Sequence, residues 1–369
     1  MNHPKPHIAL FGLKGFPAIG GTATVGENLV QVLGNEYRFT VYATESHASN
    51  RRPYEGVRLF IFKKFLPHKF NIFYYNLVGA LHALLFGNYD LVHTHQIDIG
   101  YIVPLLRLRY KVVATHHGRT YQMDKWGRGM RVFFRITEQL MFRFANHITF
   151  VSQPEHRRVR NVPAHRSHYI PNGVNPNQAV AALPSDDHYI MFAAGRIIPL
   201  KGCHIFLEAL TRMKYKGKVL IVGDYTQLEA YGQSLLSYRK HLNVEFLGMI
   251  KDKALLMAYV KKAQVFVFPS STEAMSMMLL EVAMMRTPLI CSDIPANKAI
   301  FSNDEVEYFR VDDVADLAST LDNYLKTPKR MEEKCKAAYS RLMANYRWSS
   351  IAQQYNDIYQ VLLYRNRGI

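Results

Sequence analysis

The order of apolar runs along this 369-residue chain predicts an α/β protein with two doubly wound, parallel-sheet domains. Three observations carry that expectation. Short β-rich runs occur in two series, and helix-length segments separate most of their members. The runs are apolar throughout instead of alternating, as expected of strands covered on both faces. Between the two series, Ile170-Pro-Asn-Gly-Val-Asn-Pro-Asn-Gln and Leu183-Pro-Ser-Asp-Asp-His are rich in turn formers and have no periodicity.

In the first series the strands fall at Ile8–Phe11, Phe39–Tyr42, Val57–Phe62, Leu91–His93, Lys111–Thr115 and His147–Val151. In the second they fall at Tyr189–Ala194, Lys218–Val222, Val244–Leu247, Val265–Phe268 and Pro288–Cys291. This places one domain at 1–180 and a second at 181–350. Over 351–369, Ile351, Tyr355, Ile358, Tyr359 and Leu362 form one stripe at offsets of 4, 7, 8 and 11, so an amphipathic helix packing on one of the two domains is expected.

Composition narrows the class. Almost half of the residues are apolar and a fifth are charged, which disfavours disorder. Cys203, Cys291 and Cys335 are scattered and odd in number, so no disulfide framework is expected and a reducing cytoplasm fits. The amino-terminal residues run straight into a strand without a secretory pattern. The most apolar stretch, Leu77 to Phe86, is ten residues long, whereas a membrane span needs about 20.

The net charge of +17 is unevenly shared. Residues 1–180 hold 22 Lys/Arg against 9 Asp/Glu, and residues 181–369 hold 24 against 20. The first half is thus expected to meet something anionic: nucleic acid, an acidic membrane or a pyrophosphate-bearing acceptor. Within it, the segment from Lys63 to Tyr75 interleaves cations with aromatics, a pattern suited to lipid headgroups.

Four groups of residues carry chemistry. Gly20 and Gly21 join the first strand to the first helix, where bare amides can receive phosphate and Thr22 or Thr24 can cap. The spacing of Gly12, Gly15 and Gly20 fits no dinucleotide fingerprint. After the first strand of the second series, Gly195-Arg196-Ile-Ile-Pro-Leu-Lys201-Gly202 offers a forked guanidinium and a point charge to a diphosphate.

The third group is Glu273 and Glu281, eight positions apart after an apolar strand. On one continuous helix they would lie about 12 Å apart along the axis and about 80° around it. That spacing suits two hydroxyl-rich groups joined by phosphates. The fourth group is histidine: His93-Thr-His95 and His116-His117-Gly118 end two strands. Without nearby Cys or an evident carboxylate partner they read as substrate-binding or packed side chains in preference to metal ligands.

In this order, Gly20-Gly21, Thr-His-His-Gly at 115–118, Ile-Pro-Asn-Gly-Val at 170–174, Gly-Arg-x4-Lys-Gly at 195–202 and Glu-x7-Glu at 273–281 resemble the retaining glycosyltransferases of family 4. The likeness extends over nearly the whole chain. Asp124-Lys-Trp-Gly127 also looks like a branch acting in bacterial surface-polysaccharide assembly.

The resemblance implies the GT-B architecture, two Rossmann-like domains facing a central cleft, with acceptor on the first and nucleotide sugar on the second. It also implies a C-terminal helix that returns to the first domain. It implies that Arg196 and Lys201 hold the donor diphosphate, Glu273 the sugar hydroxyls and Glu281 the ribose. It further implies that Gly21 faces the diphosphate, that His117 lines the reacting centre, and that Met275, Ser276 and Met277 present backbone amides. The chain departs from the family at Met275 and Met277, where Gly or Phe is frequent, and at Ala23, where Glu is frequent. Those departures bear on the donor sugar and the acceptor side, not on the reaction class.

The expected activity is therefore transfer of a sugar, with retention, from a UDP- or GDP-type donor to a hydroxyl of a saccharide or polyprenyl-diphosphate-linked saccharide. Neither a resident cofactor nor a metal is expected. The expected location is cytoplasmic, with peripheral placement on the inner face of the cell membrane. The alternatives are a sugar-nucleotide epimerase or hydrolase of the same architecture and, more remotely, a nucleic-acid-binding module. The latter leaves Glu273 and Glu281 unexplained and lacks any nucleic-acid motif, so no nucleic-acid partner is expected.

Overall fold

The computed structural model describes residues 4–13, 15–16, 21–45, 55–63, 68–119, 121, 126–183 and 188–364. Gly20, Asp124 and part of the 63–75 segment lie outside them. The chain divides into two compact units, one formed by the residues up to Asn172 with those from Trp348, the other by Gly173–Arg347.

Unit one holds β1 (His7–Phe11), α1 (Gly21–Leu33), β2 (Arg38–Thr44), β3 (Val57–Phe62), α2 (His68–Phe86), β4 (Leu91–His95) and α3 (Val103–Leu106). It continues with β5 (Lys111–His116), α4 (Arg128–Phe144), β6 (His147–Phe150), α5 (Gln153–Arg158) and β7 (Ser167–Tyr169). The sheet is parallel, in the order β3-β2-β1-β4-β5-β6-β7. Every residue of β4 is buried, and β1, β2, β5 and β6 are buried but for their first residues. That burial is why their sequences carry no alternation. The core is aromatic, with Phe11 stacked on Tyr42 at 4.2 Å.

Unit two holds β8 (Tyr189–Arg196), α6 (Cys203–Arg212), β9 (Lys218–Asp224), α7 (Glu229–Leu236), β10 (Val244–Gly248), α8 (Lys253–Lys262) and β11 (Val265–Phe268). After these come α9 (Met277–Met284), β12 (Leu289–Ser292), α10 (Pro295–Lys298), β13 (Glu307–Phe309), α11 (Val314–Leu325) and α12 (Pro328–Asn345). Its parallel sheet runs β10-β9-β8-β11-β12-β13. Polar caps start several helices: the Asp252 carboxylate accepts from the amides of Ala254 and Leu255, and Asp313 accepts from that of Asp316.

Both sheets reverse direction of winding once, between β1 and β4 in unit one and between β8 and β11 in unit two. Such a switch point opens a crevice at the strands' carboxyl ends, where α/β proteins bind ligands. A glycine allows close packing at each. A Cβ on Gly12 (φ 85°) would lie 2.1 Å from the His95 carbonyl oxygen, and one on Gly202 (φ 71°) 2.1 Å from that of Pro269.

The last helix, α13 (Trp348–Tyr364), belongs to unit one. Ile351, Tyr355, Ile358 and Tyr359 are buried, as their stripe predicts, together with Trp348, Ala352 and Asn356. Asn356 ties the helix to the turn after α1: its Oδ1 accepts from Tyr37 Oη at 2.5 Å and its Nδ2 donates to Glu36 Oε2 at 2.7 Å.

Candidate functional site

In unit two, residues that arrive from separate stretches of chain meet at the carboxyl ends of β8 and β11. Arg196 is the last residue of β8 and is exposed. A register shift between Ala193 and Arg196 interrupts its pairing with β9. Lys201 follows in a single 3-10 turn that Gly202 ends, and the Ser271 amide donates to the Leu200 carbonyl at 3.0 Å. That bond joins the lysine turn to the loop after β11, and across it Lys201 Nζ meets Glu273 Oε1 at 2.5 Å. Both side chains are largely shielded, so the pair is held more firmly than a surface ion pair.

The loop ends at Ser276, whose Oγ caps α9 by accepting from the Leu279 amide. The helix therefore begins at Met277, and Glu273 is not on it. Glu281 stands about one turn into α9 instead of two, which corrects the continuous-helix spacing. Met275 is buried, and Met277 opens the first turn.

Glu281 is buried, and Lys253 at the start of α8 forms an ion pair with it. Burial raises the Glu281 carboxyl above the usual range, and the Lys253 charge offsets part of that. Unit two therefore presents two acid–base pairs, Lys201–Glu273 and Lys253–Glu281, with Arg196 near the first along the chain. A carboxylate can accept from sugar or ribose hydroxyls, and cations at the end of a strand can receive phosphate.

In unit one, α1 begins at Gly21, which is exposed. Thr22 and Thr24 lie inside its first turn and do not cap it, because the helix already starts at Gly21, ahead of both.

The four histidines divide clearly. His93 is saturated: Nδ1 meets Tyr359 Oη at 2.6 Å and Nε2 meets Thr115 Oγ1 at 2.7 Å. His116 is equally occupied, with Nδ1 accepting from the Gly118 amide at 3.2 Å and Nε2 on Glu138 Oε1 at 2.9 Å. His95 is buried and meets His117 Nε2 through its Nδ1 at 3.1 Å. His117 is part-exposed, alone among the four. Burial, then the neighbouring His93 and His117 charges, keeps His95 well below the ordinary imidazole range. Burial likewise lowers His93 to about 3. Among the described residues, no three His, Cys, Asp or Glu side chains are grouped to hold a metal ion.

Three contributors were missed in the sequence reading. Lys253 lies 28 positions from Glu281, a pairing no local pattern shows. Glu138 accepts from Arg119 Nε at 3.1 Å and from Tyr121 Oη at 3.1 Å as well as meeting His116. Burial pushes the Glu138 carboxyl up, but His116 and Arg119 outweigh it and hold the group below its usual range. Arg119 also meets Glu155 at 3.3 Å. A lone acid on an arginine-rich helix was the available signal.

The Glycosyltransferase Family 4 description matches residues 19–178, and that of Glycosyl transferases group 1 matches residues 175–341. The chain belongs to the family 4 glycosyltransferases. A phosphatidyl-myo-inositol mannosyltransferase of Mycobacterium leprae is 26% identical over 294 residues, covering 76% of this chain and 75% of that protein. The O-antigen chain mannosyltransferase RfbU of Salmonella typhimurium is 24% identical over 280 residues, covering 74% of each chain. A Mycobacterium tuberculosis glycogen synthase is 28% identical over 169 residues, or 45% of this chain, which matches 41% of that relative's length.

Among solved structures, a sucrose-phosphate synthase from Thermosynechococcus elongatus superposes with a TM-score of 0.83 at 20% identity, covering 97% of this chain and 99% of the other. An Anabaena protein, HepE, in complex with UDP and glucose, gives 0.77 at 15% identity over 96% and 99%. The fold of this glycosyltransferase is GT-B.

Proposed function

We propose that this glycosyltransferase moves a hexose, with retention, from a nucleoside-diphosphate donor to a hydroxyl of a lipid-linked saccharide in bacterial polysaccharide or glycoconjugate synthesis. The observation that carries the reading is the meeting of Lys201 and Glu273 at the β8/β11 switch point, with Arg196 at the end of β8 and Glu281 on the helix that follows β11. In this reading Arg196 and Lys201 take the diphosphate, Glu273 the sugar hydroxyls and Glu281 the ribose. Gly20, Gly21 and the amides around Met275, Ser276 and Met277 complete the phosphate and sugar contacts, and His117 serves the acceptor side. A uridine donor is favoured, in keeping with the UDP bound by the related Anabaena fold.

With Glu273 assigned to the sugar hydroxyls, this reading offers no carboxylate nucleophile for a double displacement, so departure and attack occur on one face. The bond from anomeric carbon to phosphate oxygen breaks as the bond to the acceptor oxygen forms. The acceptor proton passes to the leaving phosphate. Arg196 and Lys201 stabilise the charge that develops there, which removes the need for a metal ion.

A thermal-shift series with UDP, GDP, TDP and ADP tests the donor assignment. A nucleotide present at 100 times its Kd adds about 2.7 kcal/mol. Absence of stabilisation by all four overturns the reading, and rapid donor breakdown without acceptor reassigns it to a hydrolase or epimerase. The reading also places the chain on the inner face of an anionic membrane, in keeping with the excess charge of residues 1–180.

A further inference from the structure

We infer that the outer surface of α2, α3 and α4 in unit one is the face that docks on an anionic lipid bilayer, an inference that rests on the membrane part of the reading above. Most side chains of the 63–75 segment favoured by sequence lie outside the described ones. In its described part, Asn71 and Tyr75 are buried, and Phe73 packs its ring 5.3 Å from that of Phe133. The exposed apolar side chains lie further on.

Of the fifteen large hydrophobic residues exposed in the described chain, eight are on this one surface. On α2, Leu77, Leu81 and Leu85 recur every four residues and lead to Phe86. On α4, Val132 and Ile136 do the same and lead to Phe144. Leu108 follows α3. The helix ends are tied together, because Arg109 donates to the Leu84 carbonyl and Arg107 Nε donates to that of Phe144 at 3.0 Å. This brings together Leu85, Phe86 and Leu108, exposed at 70%, 76% and 79%. An apolar concentration of this kind marks an interaction surface.

The charges on the same surface select the partner. Arg109, Arg128, Arg135 and Arg143 are exposed there. The lone carboxylate of α2, α3 and α4 is Glu138, which is buried beneath His116 and Arg119. The loop after α2 adds one exposed acid, Asp90. A surface of leucines and phenylalanines laced with arginines, whose helices show no exposed acid, matches acyl chains beneath negative headgroups. A second copy fits worse, because a two-fold contact returns the same surface to itself and sets arginines against arginines. No described helix is long and apolar enough to cross a membrane, so this surface would lie on the bilayer plane.

The test is co-sedimentation of the full chain with vesicles of phosphatidylcholine alone and of phosphatidylcholine mixed with phosphatidylglycerol, over a range of salt. Binding is expected on the anionic vesicles and is expected to fall as salt rises. Arg128→Gln/Arg135→Gln/Arg143→Gln is expected to weaken it on the order of 100-fold. Leu85→Gln/Phe86→Gln/Leu108→Gln is expected to weaken it by about 10-fold or more. Because all six side chains are exposed, the melting temperature and stabilisation by UDP should match the parent. UDP stabilisation also separates the two readings: its loss in the parent overturns the donor assignment and leaves docking standing. Equal binding to both vesicle types, or parental binding by either variant, overturns the docking face. So does a solution dimer abolished by the apolar variant, or oligonucleotide binding abolished by the arginine variant without vesicle binding.

Discussion

Buried and ionised, Glu281 costs the folded protein stability that Lys253 offsets only in part. Its carboxyl is buried, and burial outweighs the pull of Lys253 and raises its titration above the usual range. Ionisation is therefore disfavoured in the folded state, and this site's contribution to stability declines as pH rises above about 4.5. Glu281→Gln should then leave neutral-pH stability unchanged or slightly raised, since Lys253 remains partly hydrated. Donor affinity should fall, by about 10-fold or more for the lost charged hydrogen bond. Calorimetric titration with UDP beside thermal melts reads both, and a stability loss with parental affinity would make Glu281 a structural residue. In the parent, UDP affinity should start to decline on acidification at a pH above the ordinary carboxylate range, and the Gln variant should lack that step.

Glu273 and its partner are expected to behave differently. Glu273→Gln should chiefly lower kcat, and Arg196→Ala or Lys201→Ala should cost about 100- to 1,000-fold at saturating donor, as expected where a cation stabilises charge developing on a leaving group. Activity close to that of the parent in either cation variant defeats the assignment. These residues were legible from the chain because each falls just after an apolar run, and strand ends are where α/β ligand sites gather. Lys253 was not legible, since its partner lies on a different helix and only packing brings them together.

At the scale of elements, the eleven apolar runs became β1–β6 and β8–β12, with the edge strands β3 and β10 only partly buried, while β7 and β13 were missed. Each of these two is three residues long, with part-exposed positions, so neither has an apolar run to recognise. Histidine roles were also hidden, because a strand end offers the same residue type whether it faces ligand, helix or carboxylate. Glu138 shows the difference. It joins α4 to the end of β5 through His116 and to the following loop through Arg119 and Tyr121.

With its carboxyl held below the usual range, Glu138 contributes stability that is present above about pH 4.5 and lost as pH falls through its lower folded value. Glu138→Gln should destabilise by about 1–3 kcal/mol at neutral pH, because buried donors lose their acceptor. The difference from the parent should narrow in acid. Urea melts at several pH values check this, and a pH-independent difference would mean that packing, not charge, is what the substitution removes.

On the scale of the whole molecule, the chain is folded discontinuously. Unit two is one uninterrupted stretch, whereas unit one closes only when the final helix returns to it. Sequence showed that this helix needed a partner surface but not which one, since the tyrosines that bury it have non-local partners. Tyr359 meets His93 and Tyr37, and Asn356 meets Glu36 and Tyr37. Ending the chain after Arg347 should therefore strip the cover from a saturated histidine on β4 and from the apolar side of α1. Each unsatisfied buried group costs about 1–3 kcal/mol, before the lost apolar burial is added. Unit two keeps every residue of the Arg196, Lys201, Glu273 and Glu281 site. The truncated protein is expected to melt in two steps, the first well below the parental transition and indifferent to nucleotide, the second raised by UDP. A single transition at the parental temperature would show that α13 adds little to unit one, and an early step that UDP raises would place the nucleotide on the wrong unit.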